Sequence, residues 1–219
     1  MTSAPTVAIV DYGMGNRRSV QKALEHVGAR VTVTRDPRAL AAADGLVVPG
    51  VGAFGAAMSA LSELELIAPI RSAAAEGRPL LGICLGMQLL FERSTELGET
   101  AGLSLLAGEV TRLATGTPPL RIPHIGWNDV RPVRPAPLTA GLPERGAAFY
   151  HVHSYAARPF DPADVVATTT YGETFTTVVA RGAVMGTQFH PEKSSAHGLA
   201  LLAAFCALVA DAPRPMIHT

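Results

Sequence analysis

The first chemically suggestive residues are a cysteine and the two glycines that bracket it. In Gly82-Ile83-Cys84-Leu85-Gly86 the glycines lie two residues before and two after Cys84. This is the spacing of a nucleophile elbow, in which a strand turns sharply into a helix and lifts a reactive side chain clear of the sheet. The turn leaves no room for side chains at its flanks, hence Gly82 and Gly86. A sulfur there lies at the N-terminus of the helix beginning near Leu85, where the dipole and free N–H groups favour thiolate. The Leu85 N–H points towards any oxyanion that attack by the sulfur creates. A base is then required, and the chain holds seven histidines. One of them, His190, precedes Pro191 and Glu192. A residue before proline favours extended backbone, and residues two apart on extended backbone point to one side. Glu192 can therefore fix the tautomer of His190 while the other ring nitrogen faces the sulfur, and Cys84, His190 and Glu192 are predicted to form a catalytic triad.

His151 and His153 form a rival pattern, two histidines at i and i+2 that could bind zinc with a third ligand. No carboxylate or cysteine cluster surrounds them, so neither a metal site nor a cofactor is predicted. The second cysteine, Cys206, lies in the apolar stretch LALLAAFCALVA and reads as a small core hydrophobe.

The elements that must position these groups alternate. TVAIVDY, ARVTVTR, DGLVVPG and RPLLGI read as strands. Helical stretches are predicted from Ser19 to Val27, around Ala56 to Leu61, and from Ile67 to Glu76. That order implies a mostly parallel sheet covered by helices on both faces. After Gly98 the runs AAFYHVHSY, DVVATTTY, FTTVVARG and AVMGTQFH read as antiparallel neighbours extending the same sheet. A helix over roughly Ser195 to Ala210 closes the chain, and the tails MTSAPT and DAPRPMIHT read as frayed. The fold class expected is α/β, one domain over residues 1–219 with an ordered core of about 6–210.

The 219 residues carry 18 basic and 18 acidic side chains, giving a formal net charge of zero without blocks of like charge. Nucleic acid and anionic membranes are not indicated as partners. Two cysteines, no apolar leader and no apolar run of bilayer-spanning length point to a reducing cytoplasm.

The GICLGMQ elbow and the late FHPE resemble the class I, or triad, glutamine amidotransferases, whose fold is flavodoxin-like. Four further stretches bring the resemblance closer to the glutaminase subunits of imidazole glycerol phosphate synthases: DYGMGN (Asp11 to Asn16), VPGVGAF (Val48 to Phe54), IPHIGWN (Ile122 to Asn128) and HVHSY (His151 to Tyr155). The resemblance implies hydrolysis of glutamine to glutamate and ammonia. The ammonia passes to a separate (β/α)₈-barrel cyclase, in a heterodimer that makes imidazole glycerol phosphate and aminoimidazole carboxamide ribotide for histidine biosynthesis. It further implies an oxyanion strand at Gly50, Val51 and Gly52 opposite Leu85, and glutamine contacts at Gln88, Glu96, Ser154 and Tyr155. Asn16, Trp127, Tyr150 and Lys193 fall at the face that docks on the cyclase.

One position departs from the family pattern: Arg17 stands where an apolar residue is common after GMGN. The departure lies at the expected interface and leaves the triad untouched. Two alternatives stay open at this level, a subunit serving another synthase (of anthranilate or pyridoxal phosphate) and a catalytically silent binding module of the same fold.

Overall fold

In the computed structural model, which describes residues 4–212, the apolar strands of the first half pair side by side in one sheet. Strands β1 (Thr6–Val10), β2 (Arg30–Thr34), β3 (Gly45–Gly50) and β4 (Leu80–Cys84) run parallel in the order β2-β1-β3-β4. Side chains alternate between the faces. Val7, Ile9, Val47, Leu81 and Ile83 enter one core, with Val20 and Leu24 of α1 (Arg17–His26). Ala8, Val10, Leu46, Val48 and Leu80 enter the other, with Phe54 and Leu61 of α3 (Phe54–Glu63) and Ile70 of α4 (Ile67–Ala75). Between β2 and β3 lies the short α2 (Pro37–Ala42), started by Pro37 and by Asp36, whose carboxylate accepts the Arg38 N–H at 2.9 Å.

Strand β4 ends at Cys84 and α5 (Leu85–Leu89) begins at the next residue. Cys84 has φ 56° and ψ −113°, a left-handed backbone that non-glycine residues seldom adopt. Room is scarce around it. A Cβ on Gly86 would lie 1.7 Å from the Val48 carbonyl oxygen, and one on Gly82 would lie 2.5 Å from that of Gly86.

Beyond α5 the chain departs from the expected single sheet. Strands β5 (Phe91–Ser94), β6 (Thr100–Ala101), β7 (Leu106–Arg112) and β10 (Tyr155–Pro159) form a second, four-stranded sheet in the order β10-β7-β5-β6. The remaining strands, β8 (His124–Pro132), β9 (Ala147–His153), β11 (Val165–Tyr171), β12 (Glu173–Arg181) and β13 (Val184–Thr187), bring the first sheet to nine. β13 joins β4 in parallel and the others follow antiparallel. The run AAFYHVHSY thus divides at Ser154, between β9 in one sheet and β10 in the other. Its unbroken apolar and aromatic texture conceals the division.

The closing helix α6 (Ser195–Asp211) lies against α1 and buries Leu201, Leu202, Phe205 and Cys206. Burial raises the Cys206 thiol to about 11, as befits a core residue. Among the described residues no helix is long and apolar enough to cross a membrane. The tails read as frayed fall in part outside the described residues.

The elbow makes one fold-level prediction. Gly86→Ala must displace backbone and is expected to lower unfolding stability by about 3 kcal/mol or more, or to prevent soluble expression. Gly77→Ala, at a surface turn with open space around it, is expected to cost about 1 kcal/mol from its positive φ. Urea denaturation of both variants checks the order.

Candidate active site

Cys84 Sγ lies at the C-terminal edge of the parallel strands, nearly buried at 6% exposure. Its thiol reaches the Val152 carbonyl at 3.8 Å, and Gln188 Nε2 donates to it at 3.9 Å. Residues Val51, Gly52, Leu85, Gln88, Glu96, Ser154 and Tyr155 close around Cys84 in a cavity of about 280 Å³. A larger groove, about 590 Å³, runs along Pro132 to Glu144 but has neither cysteine nor histidine in its lining, so the chemistry belongs to the smaller one.

His190 approaches from the strand-to-helix link after β13. Its own N–H donates to the Tyr150 carbonyl at 2.9 Å. Its carbonyl accepts the Ser194 hydroxyl at 2.6 Å, and Ser194 Oγ in turn accepts the Tyr150 N–H at 3.0 Å. Backbone bonds on both sides thus hold the imidazole in place. Nδ1 meets Glu192 Oε1 at 2.9 Å, with both side chains buried. Nε2 has no hydrogen bond of good geometry among the described residues. Burial pushes the imidazolium pKa down. The neighbouring Cys84 sulfur, with the hydrogen bond to Glu192 and that carboxylate's charge, outweighs burial and raises it to about 10. The ring therefore holds its proton at neutral pH.

β3 ends beside the elbow, with Gly50 the register partner of Cys84. A Cβ on Gly50 would meet Tyr12 Oη at 2.6 Å and Gly86 N at 2.9 Å. The buried Tyr12 hydroxyl donates to the Pro49 carbonyl at 2.6 Å, which holds the start of the Gly50-Val51-Gly52 segment. Burial first, and then the sulfur's charge, raise the Tyr12 phenol above its ordinary range. Val51 itself is 42% exposed.

The polar wall is ordered by its donors. Gln88 Nε2 gives one hydrogen to the Tyr155 carbonyl and the other to Gln188 Oε1, both at 3.0 Å, leaving Oε1 for the cavity. Glu96 Oε2 accepts the Phe54 N–H at 2.7 Å, capping α3, whose own N-cap residue is an alanine. Away from the cavity, Trp127 is 54% exposed and pairs in register with Tyr150, over whose ring Lys193 Nζ lies at 5.8 Å. Asn16 precedes α1. Arg17 turns back onto Asp11, which also takes Arg35 Nη2 at 3.1 Å.

Residues 8–208 match the Glutamine amidotransferase class-I family. The chain belongs to the class-I glutamine amidotransferases. Among curated relatives of this amidotransferase, the Imidazole glycerol phosphate synthase subunit HisH of Moorella thermoacetica is 52% identical over 94% of the chain and 96% of the relative. The same-named protein of Symbiobacterium thermophilum is 52% identical over 94% and 95%. Of solved structures, that of PurLQS from Thermotoga maritima matches with a TM-score of 0.74 at 20% identity, over 92% of this chain and 97% of that one, a likeness of fold.

Sequence reasoning missed three residues at this amidotransferase's pocket. Gln188 stands two before His190, the spacing that places residues on one face of an extended chain. Tyr12 carried a signal only as part of DYGMGN. His153 was weighed solely as a metal ligand, yet it lines the cavity, and all six ring nitrogens of His124, His151 and His153 are committed to hydrogen bonds. Among the described residues no three His, Cys, Asp or Glu side chains are arranged to hold a metal.

Burial lowers the pKa of His124 to about 4. Burial, with the other two rings' charges adding, lowers His151 to about 3, and burial, opposed in part by the hydrogen bond to the Tyr155 carbonyl, brings His153 to about 3. Above pH 6.5 each ring is neutral whether folded or unfolded. Below it the unfolded chain binds protons that the folded chain refuses, so stability falls as pH drops towards the folded values, by up to about 1.4 kcal/mol per pH unit for each ring. His151→Phe removes one such group. Its unfolding free energy is expected to fall less steeply than that of the unsubstituted protein between about pH 6.5 and about pH 4.5, as urea titrations at several pH values would show.

Proposed function

We propose that the Cys84, His190 and Glu192 constellation hydrolyses glutamine, and that the chain does so as the glutaminase subunit of an imidazole glycerol phosphate synthase. The observation that carries the reading is the left-handed Cys84 elbow facing an imidazole whose far nitrogen is held by a buried carboxylate at 2.9 Å. The extensive identity with proteins named as that synthase subunit supports the choice of synthase.

In the scheme the Cys84 sulfur, as thiolate, attacks the side-chain carboxamide carbon of glutamine, and the carbonyl π pair moves to oxygen. The Leu85 N–H and one backbone N–H from the Gly50-Val51-Gly52 segment receive the oxyanion. His190, protonated at neutral pH, gives its Nε2 proton to the departing nitrogen as the C–N bond breaks, so that ammonia leaves. The ring, now neutral, takes a proton from water as that water adds to the thioester. Collapse expels the thiolate and releases glutamate. Glu192 orients the ring throughout and exchanges no proton with the substrate. Gln88, Glu96, Ser154 and Tyr155 hold the amino-acid end of glutamine. Ammonia passes to a barrel-type cyclase that docks on the face bearing Asn16, Trp127, Tyr150 and Lys193. Arg17, paired with Asp11, stiffens the turn beside that face and makes no contribution to the reaction.

Three single variants test the assignment by steady-state glutamate production. Cys84→Ala is expected to abolish turnover with the fold intact, whereas Cys206→Ala retains it. Glu192→Gln is expected to lower the rate less than His190→Ala does, because it disturbs orientation and leaves the proton carrier in place. Turnover by Cys84→Ala would refute the mechanism.

Coupling to the partner follows from the exposed Val51 segment. One peptide reorientation there completes or dismantles the second half of the oxyanion hole, and losing one donor costs about a hundredfold to a thousandfold in turnover. Adding the cyclase with its nucleotide is expected to raise glutaminase turnover at least about tenfold, about 1.4 kcal/mol in the barrier. Equal rates for the subunit alone, with the cyclase, and with cyclase plus nucleotide would exclude this gating.

A further inference from the structure

The reaction scheme uses His190 alone, yet three more histidines are buried between the pocket and the face that carries Trp127. On β8 the exposed residues Ile125 and Trp127 alternate with His124 and Asn128, and on β9 the exposures of His151 and His153 follow the same alternation. His124 and His153 are register partners.

Fixed donors and acceptors determine their tautomers. A carbonyl can only accept, so His153 Nδ1, 2.9 Å from the Tyr155 carbonyl, carries the proton. In a neutral ring His153 Nε2 then bears the lone pair, and His124 Nδ1 donates to it at 3.2 Å. His124 Nε2 must therefore accept, and Asn128 Nδ2 donates to it at 3.3 Å. The remaining groups of Asn128 are also committed. Nδ2 donates to the Thr170 carbonyl at 3.0 Å, and Oδ1 accepts the Asp129 N–H at 2.8 Å. The result is a one-way file of donors, Asn128 to His124 to His153 to the Tyr155 carbonyl. That carbonyl is also the acceptor that orients Gln88. His124 is further held by stacking on Tyr171, ring centroids 4.0 Å apart.

We propose that His124 and His153 act as one neutral, single-tautomer pair that positions the Tyr155 carbonyl and, through it, Gln88 for binding glutamine. They are positioning residues and exchange no proton with the substrate. The pair also ties the pocket wall to the strand whose outer side carries Trp127. Burial keeps both rings neutral at physiological pH, so the donor order does not change there. The inference rests on the glutaminase reading, and its test separates the two.

His124→Phe keeps a ring to stack on Tyr171 and removes both nitrogens. His124→Asn retains an N–H near the position of Nδ1. Each is assayed for glutamate production with the cyclase bound, and its thermal unfolding is followed by circular dichroism. Losing one buried hydrogen bond in the file is expected to raise KM for glutamine about tenfold in His124→Phe with kcat within about threefold. His124→Asn is expected to recover most of that KM. On the unsubstituted chain, long-range ¹⁵N–¹H NMR at pH 7 is expected to show both His124 and His153 neutral and protonated at Nδ1. An unchanged KM in a folded His124→Phe, or an Nε2–H form at either ring, overturns the pair. If His124→Phe does not fold, the NMR tautomers and the KM of Asn128→Ala, expected to rise about threefold, decide the matter. A wild-type complex that makes no glutamate would refute the functional reading, an outcome distinct from a failed tautomer assignment.

Discussion

Every other part of the pocket is referred to the left-handed backbone of Cys84. A residue at φ 56° followed at once by a helix is costly by itself, on the order of 1–3 kcal/mol, and persists only where its surroundings leave no alternative. Those surroundings are β3 and β4 in register, with α5 pressed so closely upon them that the Val48 carbonyl fills the space a Gly86 side chain would need. Two-sided burial of the parallel strands supplies the free energy that keeps this arrangement closed. The reactive sulfur thus stands at the end of a fully buried strand, while the groups that meet it come from less regular segments.

Those segments converge because of where the sheet ends. In open α/β sheets the crevice beyond the carboxyl ends of the strands collects loops. Here it receives the Gly50-Val51-Gly52 segment at the end of β3, the elbow after β4 and the His190 turn after β13, three strands that occupy consecutive places in the sheet. The opposite wall comes from Ser154 and Tyr155, where the chain passes from the large sheet into the small one. Each wall is fixed by side-chain hydroxyls bonded to main-chain groups, independent of the chemistry, such as the Tyr12 hydroxyl on the Pro49 carbonyl and the Ser194 bridge between His190 and Tyr150.

The sequence was most legible where one local constraint settles a conformation. The apolar strands, the flanking glycines of the elbow and the His190-Pro191-Glu192 face were readable because each rests on backbone geometry over two to five residues. The boundaries of α1 and α6 likewise fell within two residues of their expected positions. The second sheet was not legible. β5 and β6 span only four and two residues, β5 sets Glu92 beside Arg93 where an alternating strand would place one apolar residue, and β9 runs into β10 through one serine without a turn signal. The role of His153 was hidden for a different reason: a histidine's donor and acceptor pattern depends on neighbours 29 residues away along the chain, and His-X-His spacing is silent about them.

Glu96 shows how one carboxylate can fall under two demands. It caps α3 through the Phe54 N–H and forms part of the cavity wall. A replacement that suits the cavity but lacks a correctly placed acceptor loosens the helix, and one that caps the helix but alters the wall changes what the cavity admits. Drift at this position is therefore entrenched: acceptable neighbours in sequence space must satisfy folding and recognition in a single step, which leaves evolution far fewer routes through position 96 than through a site answering to either demand alone.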